Sequence, residues 1–383
     1  MRPLEGIRVV ELGAIGPAPF AGMLLADFGA DVVRVDRVDR QDAVPGDRPH
    51  LLDRGRRSLT LDLKRPKGVE ILLDLIDRAD VLTEGFRPGV AEQLGVGPDV
   101  CLTRNPRLVF GRMTGWGQDG PHATVAGHDL NYLALAGVLG AIGAPDSNPP
   151  PPLNLIGDFG GGGMLLALGI LIALLERHRS GVGQVVDAAI LDGVTLLATT
   201  VADLRAGGLW EDRRGANIMD GGAPFYRTYA TADGLYVAVA AVEPQFYGEL
   251  LRRVGGDPSD WPQYDRARWS ELHRLLEDIF AQRSRDDWIA VFEGSDACFA
   301  PVLGWEEAAR HPQSLARQTM VEAFGAWQPA PAPRLERTPA SVPGPAPRPG
   351  QHTAEILEEI GLTSREIDQL AQEGVIDLSA SRR

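Results

Sequence analysis

The chain opens with Ile7-Arg8-Val9-Val10-Glu11-Leu12, a helical stretch over residues 20–28, and then Asp31-Val32-Val33-Arg34-Val35-Asp36. The two short runs are rich in β-branched residues, which is typical of strands. The segment between them has the apolar content and length of a helix. A strand, a helix and a second strand in this order predict a parallel sheet.

The same alternation continues along the chain. Residues 58–64 and 80–84 are predicted strands, residues 68–79 are a predicted helix between them, and residues 108–110 start a further strand. This pattern predicts the α/β class, with a doubly wound parallel sheet that binds its ligand at the carboxyl ends of the strands. The turn of residues 13–19, Lys64 and Arg87 all follow such ends.

The opening also suggests a dinucleotide-binding site, with Asp36 where an acid could bind a ribose. The turn Gly13-Ala14-Ile15-Gly16-Pro17-Ala18-Pro19 does not have the spacing G-x-G-x-x-G, and its two prolines cannot donate amide hydrogens. A nicotinamide-dependent enzyme is therefore disfavoured.

Length and composition describe an ordinary globular protein of 383 residues, 44% of them hydrophobic. A formal net charge of −14 argues against a nucleic-acid-binding protein. The two cysteines form no disulfide framework and show no metal-ligand spacing. No targeting signal is recognisable, and the apolar run of residues 164–175 is too short, at 12 residues, to span a bilayer. We expect a cytoplasmic protein that does not bind a membrane.

The length predicts two domains or one large domain. Residues 207–222 are rich in glycine and charged residues, which indicates a linker. Eight prolines between Trp327 and Pro349 predict an extended strap. Two short helices over residues 352–360 and 364–373 are predicted to close the chain. Because the linker and the strap are long for compact loops, we expect a dimer.

Two polar clusters stand beside glycines in the middle of the chain. The first is Gly127-His128-Asp129, and the second is Gly157-Asp158-Phe159 followed by four glycines, 160–163. An imidazole and a carboxylate are suited to proton transfer near pH 7. Since aspartate is a favoured N-cap, the second cluster predicts a helix that begins at or just after Asp158. Four glycines cost a helix about 1 kcal/mol each relative to alanine. Either a ligand close to the backbone or a tight helix crossing would explain them.

Basic residues are unevenly distributed. Both lysines of the chain, Lys64 and Lys67, fall in one segment with several arginines, although the protein is acidic overall. Such a cluster indicates either a site for a small anionic ligand or a solvated basic surface.

The chain resembles the family III CoA-transferase superfamily and, within it, the bacterial alpha-methylacyl-CoA racemases. The segments that carry the resemblance are residues 6–16, 31–37, 114–121, 127–132, 154–162 and 221–247. The resemblance implies a large discontinuous CoA-binding domain of residues 1–188 and 315–383, a linker of residues 189–221 and a small α+β domain of residues 222–314. It also implies two chains interlocked as a homodimer. The C-terminal segment of residues 352–383 is where the chain departs from the closest racemases.

The resemblance also implies the catalytic groups. The racemases use a His followed by Asp, an Asp before the glycine run and a Glu at the start of a small-domain helix, which here are His128, Asp129, Asp158 and Glu243. The implied reaction is a 1,1-proton transfer that inverts the α-carbon of a 2-methylacyl-CoA thioester through an enolate. His128, oriented by Glu243 of the partner chain, would serve one face of the α-carbon and Asp158 the other. By itself, a Glu before Pro at a helix start is an ordinary first-turn residue.

Binding of the substrate is predicted as follows. The anion-binding candidates for the CoA body are Arg37, Arg54, Arg57, Lys64 and Arg87, because planar guanidinium groups suit phosphates. Ile15 and Gly16 would line the path of the thioester or pantetheine. Amides from Asp158 to Gly160 would bind the thioester oxygen as charge develops on it. Only protons move, so we expect no metal ion and no cofactor besides the CoA of the substrate.

Two alternatives remain open. In a family III CoA-transferase, Asp158 would attack one acyl-CoA and form an acyl anhydride. A regulatory acyl-CoA-binding protein would keep the fold but would not need the set of His128, Asp158 and Glu243. The expected setting is fatty acid metabolism, and branched fatty, bile-acid-like and arylpropionyl thioesters all remain possible substrates.

Overall fold

The computed structural model describes residues 2–38 and 51–381, and the chain forms two compact units. The larger unit comprises Met1–Ala136, Pro152–Leu197 and Gln318–Arg383, and the smaller comprises Gly137–Pro151 and Ala198–Arg317. These units differ from the predicted boundaries. Residues 189–197, predicted as linker, belong to the larger unit, and residues 137–151, 198–221 and 315–317 belong to the smaller one.

A six-stranded sheet organises the larger unit. Its strands are β1 (Arg8–Leu12), β2 (Asp31–Asp36), β3 (Arg56–Thr60), β4 (Val81–Glu84), β5 (Val109–Thr114) and β6 (Val185–Ala189). They lie in the order β3-β2-β1-β4-β5-β6, and every neighbouring pair is parallel. The predicted parallel sheet is confirmed. Because the strand order reverses between β1 and β4, the loops after these two strands diverge and leave a crevice for a ligand.

Helices connect these strands. They are α1 (Pro17–Asp27), α2 (Pro66–Ile76), α3 (Val90–Gln93), α4 (Pro98–Arg104), α5 (Asp129–Leu135), α6 (Leu165–Ser180) and α7 (Ile190–Leu197). Three of them, α1, α2 and α4, begin with proline in the first turn, where its fixed φ suits the helix and no amide hydrogen is needed. The predicted start of α1 at residue 20 was therefore too late.

The segment before α6 is a π-helix over Leu155–Met164 that continues directly into α6. The predicted helix start at Asp158 is wrong, because the π-helix begins three residues earlier, after Asn154. The continuous helix of 26 residues is long and apolar enough to cross a membrane by length and composition alone, so the argument from a 12-residue run does not hold. One side of α6 packs on β5 and β6. Packing on a sheet is the usual reason for an apolar helix in a globular core.

The smaller unit contains an antiparallel sheet of β7 (Tyr226–Ala230), β8 (Tyr236–Ala240) and β9 (Phe299–Pro301). Its helices are α8 (Thr199–Ala206), α9 (Pro244–Arg253), α10 (Trp269–Phe280), α11 (Arg285–Phe292), α12 (Trp305–Arg310) and α13 (Pro312–Arg317). The α+β character of this part is confirmed. Aromatic side chains dominate its core, among them Phe225, Tyr229, Trp269 and Phe280.

The C-terminal part returns to the larger unit. A hairpin of β10 (Met320–Ala323) and β11 (Ala326–Pro329) comes before most of the predicted strap and overlaps it only at residues 327–329, and α14 (Thr353–Glu359) and α15 (Ser364–Gln372) follow it. The core cluster that contains Leu59 of β3 also contains four apolar residues of these helices, Ile356, Leu357, Ile367 and Leu370. The C-terminal helices are thus part of the core of the larger unit.

Candidate active site

His128 lies at the start of α5, where it is the N-cap residue with an extended backbone. Its amide donates a hydrogen bond to Asn131 Oδ1 at 3.0 Å, which closes the first turn. The His128 side chain is exposed, whereas the next residue, Asp129, is buried. The local sequence therefore directs the imidazole outward and the first carboxylate inward.

Asp158 lies in the first turn of the π-helix and is half-buried. Its amide donates to Asp129 Oδ1 at 2.7 Å, so the two polar clusters of the sequence meet directly. Gly157 makes this contact possible, because a Cβ there would lie 2.2 Å from Asp129 Oδ1. Burial, and then the negative charge of Asp129, raise the pKa of Asp158, while a hydrogen bond from Asn154 and the charge of His128 lower it. The net shift is upward, which favours a protonated carboxyl group.

The glycine run is explained by close helix packing. A Cβ on Gly161 would lie 2.8 Å from the Val194 amide of α7, and Cβ atoms on Gly162 and Gly163 would lie 2.9 and 2.6 Å from atoms of Pro17 in α1. The π-helix thus touches two neighbouring helices through its glycines. Of the two explanations that the sequence left open, the tight helix crossing accounts for these three positions.

The predicted oxyanion-binding amides are already engaged. Asp158 N–H donates to Asp129, and Phe159 N–H donates to the Asn154 carbonyl at 3.3 Å. Gly160 lies inside the π-helix, where amides bond to carbonyls five residues earlier. The helix-start prediction failed because it placed these residues outside the hydrogen-bonded turn, and the amides of Asp158 and Phe159 are therefore not free to bind a thioester oxygen.

A cavity of about 480 Å³ brings the polar clusters together with the first turn of the fold. Ile15, Gly16, Arg87, His128 and Asp158 all line it. Gly16 has a φ of +76°, and a Cβ there would lie 3.3 Å from Asp158 Oδ2. Glycine is therefore favoured at position 16 for two reasons: the backbone has a positive φ, and a side chain would crowd the carboxyl group of Asp158.

A second cavity of about 510 Å³ lies at the carboxyl ends of β2 and β3. Arg37 and Lys64 line it, and so does Gly374 from the C-terminal part. Gly13 and Phe86 line both cavities, so the two are neighbours at the crevice between β1 and β4. Together they offer a path for an elongated anionic ligand.

Arg54 and Arg57 do not line either cavity. Arg54 is buried and donates through two nitrogens to Asp27. Arg57 is near the amino end of β3 and pairs with Asp31, Glu355 and Glu359. Both arginines were grouped with Lys64 because they are close to it in sequence. However, Arg54 and Arg57 lie before or near the amino end of β3, whereas Lys64 follows its carboxyl end. The structure therefore does not bring these two arginines to the cavities with Lys64, and their role as CoA ligands stays a prediction.

Buried ion pairs support the turn of residues 13–19. Arg56 pairs with Glu11 at 2.8 Å and donates to the Pro19 carbonyl, while Arg34 donates to the Ala14 carbonyl at 3.4 Å. Glu11 and Arg56 are almost fully buried. Removing one partner of such a pair leaves an uncompensated buried charge, which is strongly destabilising. These ion pairs therefore fix the conformation of the turn.

The loop that carries Arg87 is held in a similar way. Glu84 accepts a hydrogen bond from the Phe86 amide at 2.5 Å and another from Arg112 Nε at 3.0 Å. Burial raises the pKa of Glu84. The hydrogen bonds that Glu84 accepts from Phe86 and Arg112 partly offset this rise. Arg87 itself is exposed at the rim of the first cavity.

Glu243 belongs to the smaller unit, where it is the N-cap residue of α9 and is exposed. The predicted helix start before Pro244 is therefore confirmed, and the role of the carboxylate stays a prediction. Among residues 2–38 and 51–381, no group of three or more His, Cys, Asp or Glu side chains could hold a metal ion.

Residues that the sequence reasoning did not single out also shape the site. Tyr132, Trp116 and Phe86 line the first cavity, and Asn154 hydrogen-bonds to Asp158. Tyr132 is four residues after His128, and Asn154 is four residues before Asp158. Both residues could have been found from the sequence by looking one helical turn away from each candidate catalytic residue.

An all-parallel doubly wound sheet with an imidazole and a carboxyl group at its carboxyl edge defines an α/β protein suited to proton transfer on a bound ligand. The sequence profile described as CoA-transferase family III matches residues 4–353, and the chain belongs to this family.

Three comparisons show how close the similarity is. The chain is 48% identical over 378 residues to the alpha-methylacyl-CoA racemase of Mus musculus, covering 98% of this chain and 97% of the relative. It is 46% identical over 380 residues to the alpha-methylacyl-CoA racemase of Homo sapiens, again covering 98% and 97%. The crystal structure of a CAIB/BAIF family protein from Brucella suis superimposes with a TM-score of 0.80 at 28% identity, covering 94% of this chain and 99% of that one.

These alignments correct one expectation. The C-terminal segment of residues 352–383 does not set this chain apart from the racemases, since 98% of the chain aligns with the mouse and human proteins.

Proposed function

We propose that the protein is a racemase that inverts the α-carbon of 2-methylacyl-CoA thioesters. The observation that carries the proposal is the placement of His128 and Asp158 on one cavity, with the pKa of Asp158 raised by burial and by Asp129. The mouse and human relatives that bear the racemase name support it. Inversion of a carbon centre requires a proton acceptor on one face and a proton donor on the other, and a neutral carboxyl group can donate.

In the proposed reaction, His128 removes the α-hydrogen as a proton and becomes an imidazolium. The electron pair of the broken C–H bond moves into the thioester and forms an enolate. Protonated Asp158 then donates its proton to the opposite face of the same carbon, which gives the other enantiomer. The reverse direction exchanges the two roles. Proton exchange with solvent restores the starting protonation states, and no metal ion or redox cofactor enters this scheme.

The CoA body is proposed to run from the first cavity into the second. Arg87 lies at the rim of the first, and Arg37 and Lys64 line the second, so cations are available along the path. Charged groups that contact phosphate typically contribute more than neutral hydrogen bonds. Ile15 and Gly16 would line the path of the thioester, because they bound the first cavity beside Asp158.

A cytoplasmic homodimer is the proposed working form, with Glu243 of one chain orienting His128 of the other, as the resemblance to the racemases implies. Supporting it is an exposed apolar stripe along α6 formed by Met164, Leu168, Leu171, Ile172 and Leu175. These residues recur at helical spacing on the side of α6 that faces away from the sheet. Stripes of this kind are more often covered by a partner than left in water.

The test of the proposed function is exchange of the substrate α-hydrogen. A single enantiomer of a 2-methylacyl-CoA is incubated in deuterium oxide with the protein and with no second carboxylic acid. We expect deuterium at the α-carbon and conversion to a mixture of enantiomers. Acyl transfer to an added acid, together with hydroxylamine trapping of an acyl group on Asp158, would instead establish a transferase. Absence of exchange and of racemisation with several 2-methylacyl chains would refute the racemase proposal.

A further inference from the structure

The ring of Tyr132 occupies a space that two glycines leave open beside His128. A Cβ on Gly115 would lie 2.0 Å from Tyr132 Cζ, and a Cβ on Gly127 would lie 2.9 Å from Tyr132 Cε1. Real Cβ atoms do not approach other atoms this closely, so both glycines are needed for the ring to sit here. Gly115 directly follows β5, and Gly127 directly precedes His128. The ring therefore joins the end of the sheet to the residue before the imidazole.

The phenol hydroxyl of Tyr132 also contacts Gly127. Tyr132 Oη donates a hydrogen bond to the Gly127 carbonyl oxygen, which belongs to the peptide group that leads into His128. Tyr132 and His128 are four residues apart, so they lie on the same side at the start of α5. The hydroxyl thus fixes the peptide group from which the imidazole projects.

The other side of the ring is also fixed. Trp116 meets Tyr132 edge to face, with ring centroids 4.6 Å apart and an interplanar angle of 82°. The Trp116 indole nitrogen donates to the Val125 carbonyl at 3.1 Å, two residues before Gly127. Tyr132 is only 7% exposed, so its ring is held on several sides although it borders the cavity.

We propose that Tyr132 is a positioning residue that fixes His128 for proton transfer by holding the Gly127 carbonyl. The inference deepens the proposed racemase function and rests on it. Tyr132 is not itself a proton donor to the enolate in this scheme, because its hydroxyl hydrogen is directed to Gly127. Burial and the negative charge of Asp158 raise the pKa of Tyr132, so the phenol keeps this hydrogen over the pH range in which an imidazole titrates.

The consequence is specific to one face of the substrate. A misplaced imidazole slows removal of the α-hydrogen that faces His128. Removal of the α-hydrogen that faces Asp158 should be unaffected, because Asp158 is held by the π-helix and not by α5. Small displacements of a catalytic group cost rate rather than affinity, so KM for the acyl-CoA should stay nearly constant.

Tyr132→Phe is the decisive variant, because it keeps the ring and removes only the hydroxyl. We expect the initial washout of the α-hydrogen to fall about three- to tenfold for the enantiomer served by His128, the range that one neutral hydrogen bond corresponds to. Washout from the enantiomer served by Asp158 should change less than about twofold. In a His128→Ala background, adding Tyr132→Phe should have no further effect on the remaining exchange.

Tyr229→Phe is a matched control, since Tyr229 is a buried tyrosine of the smaller unit whose hydroxyl donates to the Pro224 carbonyl at 2.7 Å. It should leave the ratio of the two washout rates unchanged. Equal losses on both faces in Tyr132→Phe, no loss at all, or a further loss in the His128→Ala background would each overturn the proposal.

A binding-independent readout separates this inference from the racemase proposal. The imidazole C–H resonances of His128, identified from their disappearance in His128→Ala, should shift in Tyr132→Phe and not in Tyr229→Phe. This holds whether or not the wild-type protein exchanges the α-hydrogen of a 2-methylacyl-CoA. Unchanged His128 resonances in Tyr132→Phe would overturn the positioning role even in an active racemase.

Discussion

The two proton-transfer groups stand on regions of opposite character. His128 is exposed at the N-cap of α5, on a turn that Tyr132 and Trp116 hold from one side. Asp158 is half-buried within a π-helix that packs through glycines against α1 and α7. The two regions touch at one hydrogen bond, from the Asp158 amide to Asp129 Oδ1.

The difference shows how one site can hold both an acid and a base. His128 is exposed to water, whereas burial and the neighbouring Asp129 disfavour the charged form of Asp158. A carboxyl group that keeps its proton can act as the acid opposite a base.

The largest expected effect comes from removing either group. His128→Ala and Asp158→Ala should each lower racemisation by roughly 10²- to 10⁴-fold, the usual range for acid–base catalysis. The variants should differ in the enantiomer that still exchanges, because each retains the base on one face only. Deuterium uptake by separate enantiomers measures this. Loss of exchange from the same enantiomer in both variants would rule out opposed bases, even in a working racemase.

The second prediction concerns dependence on the partner chain. Glu243→Ala should lower activity about tenfold or more if Glu243 orients His128, since an orienting partner fixes the tautomer and position of the imidazole. Co-expression of Glu243→Ala and His128→Ala chains should then restore activity, because a mixed dimer has one site with both intact residues. Each variant alone provides the control. A mixture no more active than the two variants alone would place Glu243 on the same chain as the His128 it serves, or outside the site.

The third prediction separates groups that serve one face from groups that serve both. Arg87→Ala and Lys64→Ala should raise KM for the acyl-CoA about tenfold, in line with loss of a charged contact to phosphate. Exchange from the two enantiomers should fall in equal proportion, because both carry the same CoA. Arg57→Ala is the matched control, as its partners are Asp31, Glu355 and Glu359. A change in KM with Arg57→Ala alone would reverse the assignment.

The smallest expected effect is on stability. The raised pKa of Asp158 means that the unfolded chain loses this proton at lower pH than the folded protein does. Between the two pKa values the folded state binds more protons, so the contribution of Asp158 to the free energy of unfolding falls as pH rises. Thermal melts of Asp158→Asn and wild type should therefore diverge in favour of the variant as pH rises from about 4. Because Asp158 is only half-buried and solvent screens its charge, the divergence should stay below about 1 kcal/mol. Parallel melting curves across this range would contradict the raised pKa.

Local sequence patterns were sufficient for much of this architecture. Runs rich in β-branched residues predicted the first five strands of the parallel sheet, and the resemblance placed a helix start at Glu243, where α9 begins. The hairpin of β10 and β11 was missed, since eight prolines nearby indicated a strap. The π-helix was misread because Asp158 has the chemistry of an N-cap, and only its contact with Asp129 explains why it lies inside the helix.

By itself, the sequence determined the fold class, the residue types able to move protons, and the resemblance to the CoA-transferase family. The fold class and the residue types follow from periodicity and side-chain chemistry, which are local, and the resemblance rests on short motifs along the chain. The tertiary structure decided which basic residues are near the site, because Arg57 lies near the start of β3 whereas Lys64 follows the end of that strand, beside the second cavity. It also decided that the glycines serve helix packing and that Tyr132 supports His128. Such relations depend on distances between distant segments, which no local pattern encodes.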